Sequence, residues 1–149
     1  MTRTTIAGLG LLLSWPLLSG QQVTIPVEYG DHVILLQTDR DQRLQMIYFG
    51  EPLQHSEEYE TVAGSYHYFD SNAGSYKGAY TPAGTWNMVE PAIQVVHADG
   101  NHSLDLKYVS HTAEQEEDGS RQTRIRLQDP VYPFSVTLCF KAWKKENVI

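Results

Sequence analysis

One cysteine, Cys139, is all this 149-residue chain carries. A lone cysteine excludes an internal disulfide, so the fold is not a stapled mini-domain and rests on an apolar core. Basic charge is scarce too. Eleven Lys and Arg stand against 18 Asp and Glu, a formal net of −7. A protein that grips phosphate backbones needs a basic face, and nucleic acid is therefore not an expected partner. Long apolar runs are missing except near the N-terminus. There Ile6 to Leu18 is mostly hydrophobic, Arg3 is the only charge before Glu28, and Ser19-Gly20 is followed by polar Gln21-Gln22. The run falls short of the roughly 20 apolar residues that a membrane-spanning helix needs. It has the layout of a secretory signal peptide, with cleavage expected near Gly20. Residues 1–20 are thus read as a leader and 21–149 as one domain, secreted or periplasmic. Losing Arg3 takes the net charge from −7 to −8.

Catalytic signatures are equally thin. No G-x-S-x-G elbow offers a serine nucleophile, and the glycines around Gly78 to Gly84 lack the Lys-Ser/Thr ending of a phosphate loop. The six His, at 32, 55, 67, 97, 102 and 111, have no zinc-like spacing with Cys or carboxylates, although His97 and His102 flank one turn. No metal and no cofactor is expected. Acidic residues are many, but they fall in turns and exposed tips, where nothing raises a pKa toward that of a general acid. Asp70 and Glu90 alone sit in an aromatic setting. The stretch Glu114 to Gly119 reads as a solvated loop tip. Asn101-His102-Ser103 is formally a glycosylation sequon.

What the chain does have is alternation. Val33 to Thr38 is a short apolar run, Asp39-Arg40-Asp41 breaks it, and Arg43 to Phe49 resumes with apolar residues on both faces. This predicts a hairpin covered on both sides. Ala92 to His97 and Ser103 to Ser110 flank Asp99-Gly100, the pattern of a second hairpin. Thr123, Ile125 and Leu127 alternate with Arg124, Arg126 and Gln128. Asp129-Pro130 then turns the chain into Phe134, Val136, Leu138 and Phe140, again alternating. The expected fold is all-β, with antiparallel sheets packed face to face. The last residues, Lys144 to Ile149, are expected to run on from a strand without a turn, as the front piece of a larger protein would.

Between His55 and Glu90 the alternation fades. Gly64, Gly74, Gly78, Pro82 and Gly84 are interspersed with Tyr59, Tyr66, Tyr68, Phe69, Tyr76, Tyr80 and Trp86. So long an irregular segment in a compact domain is functional or disordered, and its aromatic content argues against disorder. These rings either reach a surface or simply pin the loop to the sheets.

Five stretches, in order, carry a family resemblance. They are Arg43 to Gly50, Glu90 to Asn101, Leu106 to His111, Leu127 to Pro133, and Lys145 to Ile149. Together they resemble the N-terminal domain of family 36 glycoside hydrolases, the α-galactosidases, over about residues 23 to 149. The resemblance implies a galactose-mutarotase-like β-supersandwich, incomplete at its C-terminus, followed by a (β/α)8 barrel. In that family the barrel supplies the Asp nucleophile and the Asp acid/base that cleave terminal α-galactosides with retention. The barrel is missing from this chain, so no catalytic residue transfers and the fragment is expected to be inactive. What does transfer is a loop, Gly-x-Gly-Asp-x-Arg-x-Pro in the family and Gly84-Thr85-Trp86-Asn87-Met88-Val89-Glu90-Pro91 here. It implies contact with sugar, in some oligomers that of a neighbouring subunit. Asn87 replaces the Asp and Val89 the Arg, so the charge pattern is lost. Trp86 offers a face for galactose to stack on, Asn87 a hydrogen bond, and Tyr80 a further contact. Expected partners are α-galactosides through the parent enzyme, the missing barrel and a second copy. The alternative is a free-standing carbohydrate-binding module built on the aromatic loop.

Overall fold

The computed structural model describes residues 21–55, 57–63, 77–84, 87 and 90–149. Six strands form two antiparallel sheets. β1 (Thr24–Glu28), β2 (Val33–Thr38) and β3 (Leu44–Gly50) lie in sequence order in the first, and β4 (Lys107–Gln115), β5 (Arg121–Gln128) and β6 (Ser135–Ala142) in the second. One short helix, α1 (Glu58–Ala63), follows β3.

The two sheets bury their inner faces against each other. Ile25, Val27, Leu36 and Leu44 meet Leu106, Ile125 and Leu127, and every one of these is less than 5 % exposed. In β5 the alternation sends Thr123, Ile125 and Leu127 inward and Arg126 out, as the sequence pattern predicts. β2 is buried on both faces. Ile34 and Leu36 join the main core, while Val33 and Leu35 form a second cluster with Tyr59 of α1. A bulge fits β3 to this arrangement. Leu36 pairs with Met46 and Leu35 with Tyr48, which leaves Ile47 extra, and Ile47 and Tyr48 both pack on the second cluster. Only β2 is therefore covered on both faces, by the other sheet and by Tyr59 of α1; β3 leaves Met46 and Phe49 exposed, so the hairpin expected to be covered on both sides is covered in its first strand alone.

Turn chemistry sets the hairpins. Asp39 Oδ1 accepts hydrogen bonds from the amides of Asp41 (2.9 Å) and Arg43 (2.8 Å), and Gln42 takes φ +62°. Asp129 organises the β5–β6 corner. The acidic stretch is mostly exposed, as its reading as a solvated tip expects, but Glu114 and Gln115 belong to β4 and the turn after them is latched by surface ion pairs. Arg124 pairs with Glu114 and Glu116, and Lys141 lies 2.6 Å from Asp118.

Two expectations need correction. The arms around Asp99-Gly100 form no ladder, although the turn itself closes through Gly100 N to His97 O (2.9 Å). The returning arm bonds elsewhere: Leu104 donates to Ala83 O and Tyr108 to Gln42 O, so tertiary partners outcompete the local pair. The C-terminal residues do turn. Trp143 and Val148 form an antiparallel bridge around a turn in which Asn147 adopts φ +53°, a conformation that asparagine tolerates.

Candidate functional site

One end of the sandwich gathers the β2–β3 turn, the β5–β6 corner, the 97–103 turn and the segment 77–84. That segment is stitched in by its backbone. Met46 N donates to Lys77 O, Ala79 N to Leu44 O, Ala83 N to Ile93 O, and Ala92 N to Thr81 O, all between 2.8 and 3.0 Å. Gly84 is required where it stands. Its φ is +98°, and a Cβ there would lie 3.0 Å from the Ser103 side chain. Gly84 thus sits directly against Ser103.

The three site residues read from the sequence fare differently. Tyr80 is half-buried and packs against the main core. Asn87 is half-buried and closes the loop on itself: its amide N–H donates to Gly84 O (2.9 Å) and Nδ2 to Pro82 O (3.4 Å). Trp86 lies outside the described residues, as does Asp70. Glu90 is exposed.

Linked to Ser103 is a polar clamp that sequence reasoning missed. The Tyr132 ring stacks on His97, with centroids 3.5 Å apart and planes 8° from parallel. The Tyr132 hydroxyl donates to Asp99 Oδ2 (2.8 Å) and accepts from Asn101 Nδ2 (2.8 Å). Asn101 Oδ1 accepts from Ser103 N (2.9 Å), which carries the clamp to the residue under Gly84. His97 therefore faces Tyr132 rather than His102. The corner that presents Tyr132 is built on Asp129, a buried carboxylate. Its Oδ1 accepts from Val131 N (2.8 Å) and Tyr132 N (2.9 Å), and its Oδ2 accepts from Asp105 N (2.8 Å). Asp105 in turn holds Arg43 through two bonds, Nε at 2.8 Å and Nη2 at 3.1 Å, and Lys107 at 2.9 Å. The available signal was Asp129-Pro130 itself, because an aspartate at a corner can accept amides from the turn that follows it.

Electrostatics follow from these bonds. Burial pushes the Asp129 carboxyl upward, but the three amides outweigh it and hold the group below its ordinary value. Burial acts likewise on Asp105 and is outweighed by Arg43 and Lys107. The Asn101 amide and the Tyr132 hydroxyl lower Asp99, whose charge raises Tyr132. Lys141 and Ser120 hold Asp118 far below the usual carboxylate range. All four shifted carboxyls move down. A general acid for glycoside cleavage needs the opposite shift. Asp99 and Asp129 serve as charged acceptors for turn amides, while Asp105 holds the Arg43 and Lys107 side chains and Asp118 that of Lys141. Among the described residues no group of three His, Cys, Asp or Glu is placed to hold a metal ion, and no helix is long and apolar enough to cross a membrane.

Comparison with known families decides the kinship. The model of the glycosyl hydrolase family 36 N-terminal domain matches residues 42–149. The chain belongs to this family. Comparison with curated proteins returns no match. Among solved structures, the α-galactosidase of Lactobacillus brevis superposes with a TM-score of 0.68 at 15 % identity, over 84 % of this chain and 20 % of that one. A variant of the family 36 α-galactosidase AgaA of Geobacillus stearothermophilus, solved with stachyose, gives 0.68 at 18 % identity, over 83 % and 20 %. The galactosidase domain of the α-galactosidase-sucrose kinase AgaSK gives 0.64 at 19 %, over 80 % and 20 %. The family 36 chain thus shares its two-sheet β-sandwich with these enzymes and spans about a fifth of their length.

Proposed function

We propose that this chain is the non-catalytic front domain of a secreted or periplasmic α-galactosidase. In this reading hydrolysis of terminal α-galactosides, with retention, belongs to carboxylates of a barrel that is not among these 149 residues. The family match over residues 42–149 carries the reading. The carboxyls with a shift among the described residues support it, because all four are held ionised rather than protonated for general-acid work. The domain's contribution would be a rigid platform that aims the 84–91 loop at the sugar site. Trp86 would stack on galactose there and Asn87 would serve the loop's shape as much as the sugar. Tyr80 would act from below, as the packed base of the loop. The leader at residues 1–20 would deliver the protein across a membrane and be removed near Gly20.

The reading frame beyond the codon for Ile149 tests the assignment. A frame that continues into a (β/α)8 barrel is the expected result, and a stop codon in the natural gene would refute the enzymatic parent. The N-terminus of the exported protein tests the leader. It should begin close to Gln21, and a mature chain that still begins at Met1 would overturn the export reading.

A further inference from the structure

The end of the sandwich opposite Gly84 holds an open-sided cavity of about 290 Å3, lined by Glu28, Tyr29, Gly30, Pro52 and Arg121. Glu28 ends β1, Pro52 follows β3 and Arg121 opens β5, so the cavity straddles the joint between the two sheets. Its wall is pinned from both sides. Gln115, the cross-strand partner of Arg121, donates from Nε2 to the Tyr29 hydroxyl (3.0 Å). Asn147 Oδ1 accepts from Asp31 N (3.0 Å) and lies 2.9 Å from where a Cβ on Gly30 would stand. Gly30 takes φ +92°, so the 28–31 turn is held in a shape that other residues resist.

The chemistry of the lining is specific. Glu28 and Arg121 are half-buried and carry opposite charge, yet they form no ion pair with each other or with any other described residue. Glu28 and Arg121 thus bring a carboxylate acceptor and a guanidinium fork of donors to the lining of one open-sided cavity, together with Tyr29 and Pro52. The two charges cancel. An anion would meet Glu28 and a chain of net charge −7, and a cation would meet Arg121. A neutral polyol suits both groups, because each hydroxyl donates and accepts while ring C–H faces cover an aromatic. The volume sits at the lower end of ligand pockets, roughly 300–1,000 Å3, which suits one sugar ring rather than a long chain.

We propose that this cavity is a second saccharide site, one that takes a single neutral pyranose ring between Glu28 and Arg121 and against Tyr29. It is separate from the 84–91 loop and does not depend on the role proposed for that loop. The test is an NMR titration of the purified 149-residue chain with methyl α-galactoside and methyl α-glucoside. The expected result is saturable shifts at Gly30 and Gln115 with a Kd on the order of 1 mM, typical of so small a ligand. Arg121→Met and Tyr29→Leu should each weaken binding by about tenfold or more. Arg126→Met, on the exposed outer face of β5, should leave it unchanged. Unaltered thermal midpoints establish that the variants remain folded, and Arg121→Lys, which keeps the charge but loses the fork, should fall between. The proposal is overturned by linear, unsaturated shifts, by saturation with zwitterionic glycine but not with either glycoside, or by binding that survives Arg121→Met. Binding abolished by Asn87→Ala but kept in Arg121→Met would assign the saccharide to the loop and remove this site.

Discussion

Asp129 is the residue on which the loop-bearing end depends, and its removal should be felt throughout that end. Its carboxylate takes three backbone amides, from Asp105, Val131 and Tyr132. A hydrogen bond to a charged group is worth about 1.5–3 kcal/mol, and a stranded buried donor costs about 1–3 kcal/mol. In Asp129→Ala the Asp105 amide, set between buried Leu104 and Leu106, loses its partner. The Val131 and Tyr132 amides lie nearer solvent and recover part of the loss from water. The sum is about 3–4 kcal/mol, a large share of the roughly 5–15 kcal/mol by which domains are stable. Asp129→Asn keeps one carbonyl oxygen for the 131–132 amides but turns an NH2 toward the Asp105 amide, so about 2 kcal/mol should be lost. Urea unfolding at neutral pH, followed by far-UV circular dichroism, measures both.

The pH dependence adds an independent check. The folded carboxyl sits below its ordinary value of 3.8. Its contribution is therefore complete above that value and fades as pH falls through the folded pKa. The advantage of the wild type over Asp129→Asn should be greatest at neutral pH and shrink below about pH 4. An Ala variant within about 0.5 kcal/mol of the wild type would refute the reasoning, since that is the range of an ordinary surface change.

Ile125→Ala empties the centre of the inter-sheet core, where the side chain is fully buried, and should cost about 2–5 kcal/mol in the same assay; a loss below about 1 kcal/mol would mean the sheets do not close over it. Gly30→Ala places a Cβ 2.9 Å from Asn147 Oδ1 at φ +92° and should destabilise by about 1–3 kcal/mol. No loss there would show that the 28–31 turn relaxes freely. Cys139 is an exposed free thiol, so the native chain should react with a thiol reagent at a rate close to that of the urea-unfolded chain; reaction only after unfolding would place β6 under cover.

The sequence pattern was most legible where burial is one-sided and local. The β5–β6 hairpin alternates cleanly because Ile125 and Leu127 face one core while Arg126 faces water. The β2–β3 hairpin was equally plain, since β2 is apolar on both faces and Asp39 stops it with its own side chain. β1 escaped notice because Pro26 interrupts a run of only five residues. At six residues α1 is too short for helical periodicity to register, and its Tyr59 packs on the second cluster while the Tyr59 hydroxyl accepts from Leu53 N. The Ala92–His97 arm looked like a strand but is held through Ala83 and Thr81, partners that local alternation does not encode. The latched acidic turn was obscure for the same reason, because Lys141 is 23 residues from Asp118.

The site was less readable than the fold. Residues 84–91 were singled out by their resemblance to the family, and of them Gly84, Asn87, Glu90 and Pro91 are among the described residues. Tyr80, chosen with the other aromatics of that region, proves to pack against the core, and nothing in its neighbours signals which way it turns. The Tyr132–His97 clamp joins residues 35 apart in sequence, and the Glu28–Arg121 cavity joins residues 93 apart. Both are products of sheet packing.

Hydrolysis of an α-galactoside by the purified 149-residue chain weighs most directly on the claim that its chemistry lies on other polypeptide. With p-nitrophenyl α-galactoside the account predicts a rate no different from buffer, at any pH at which the domain is folded. Turnover that disappears when a carboxylate within residues 21–149 is replaced by its amide would contradict it.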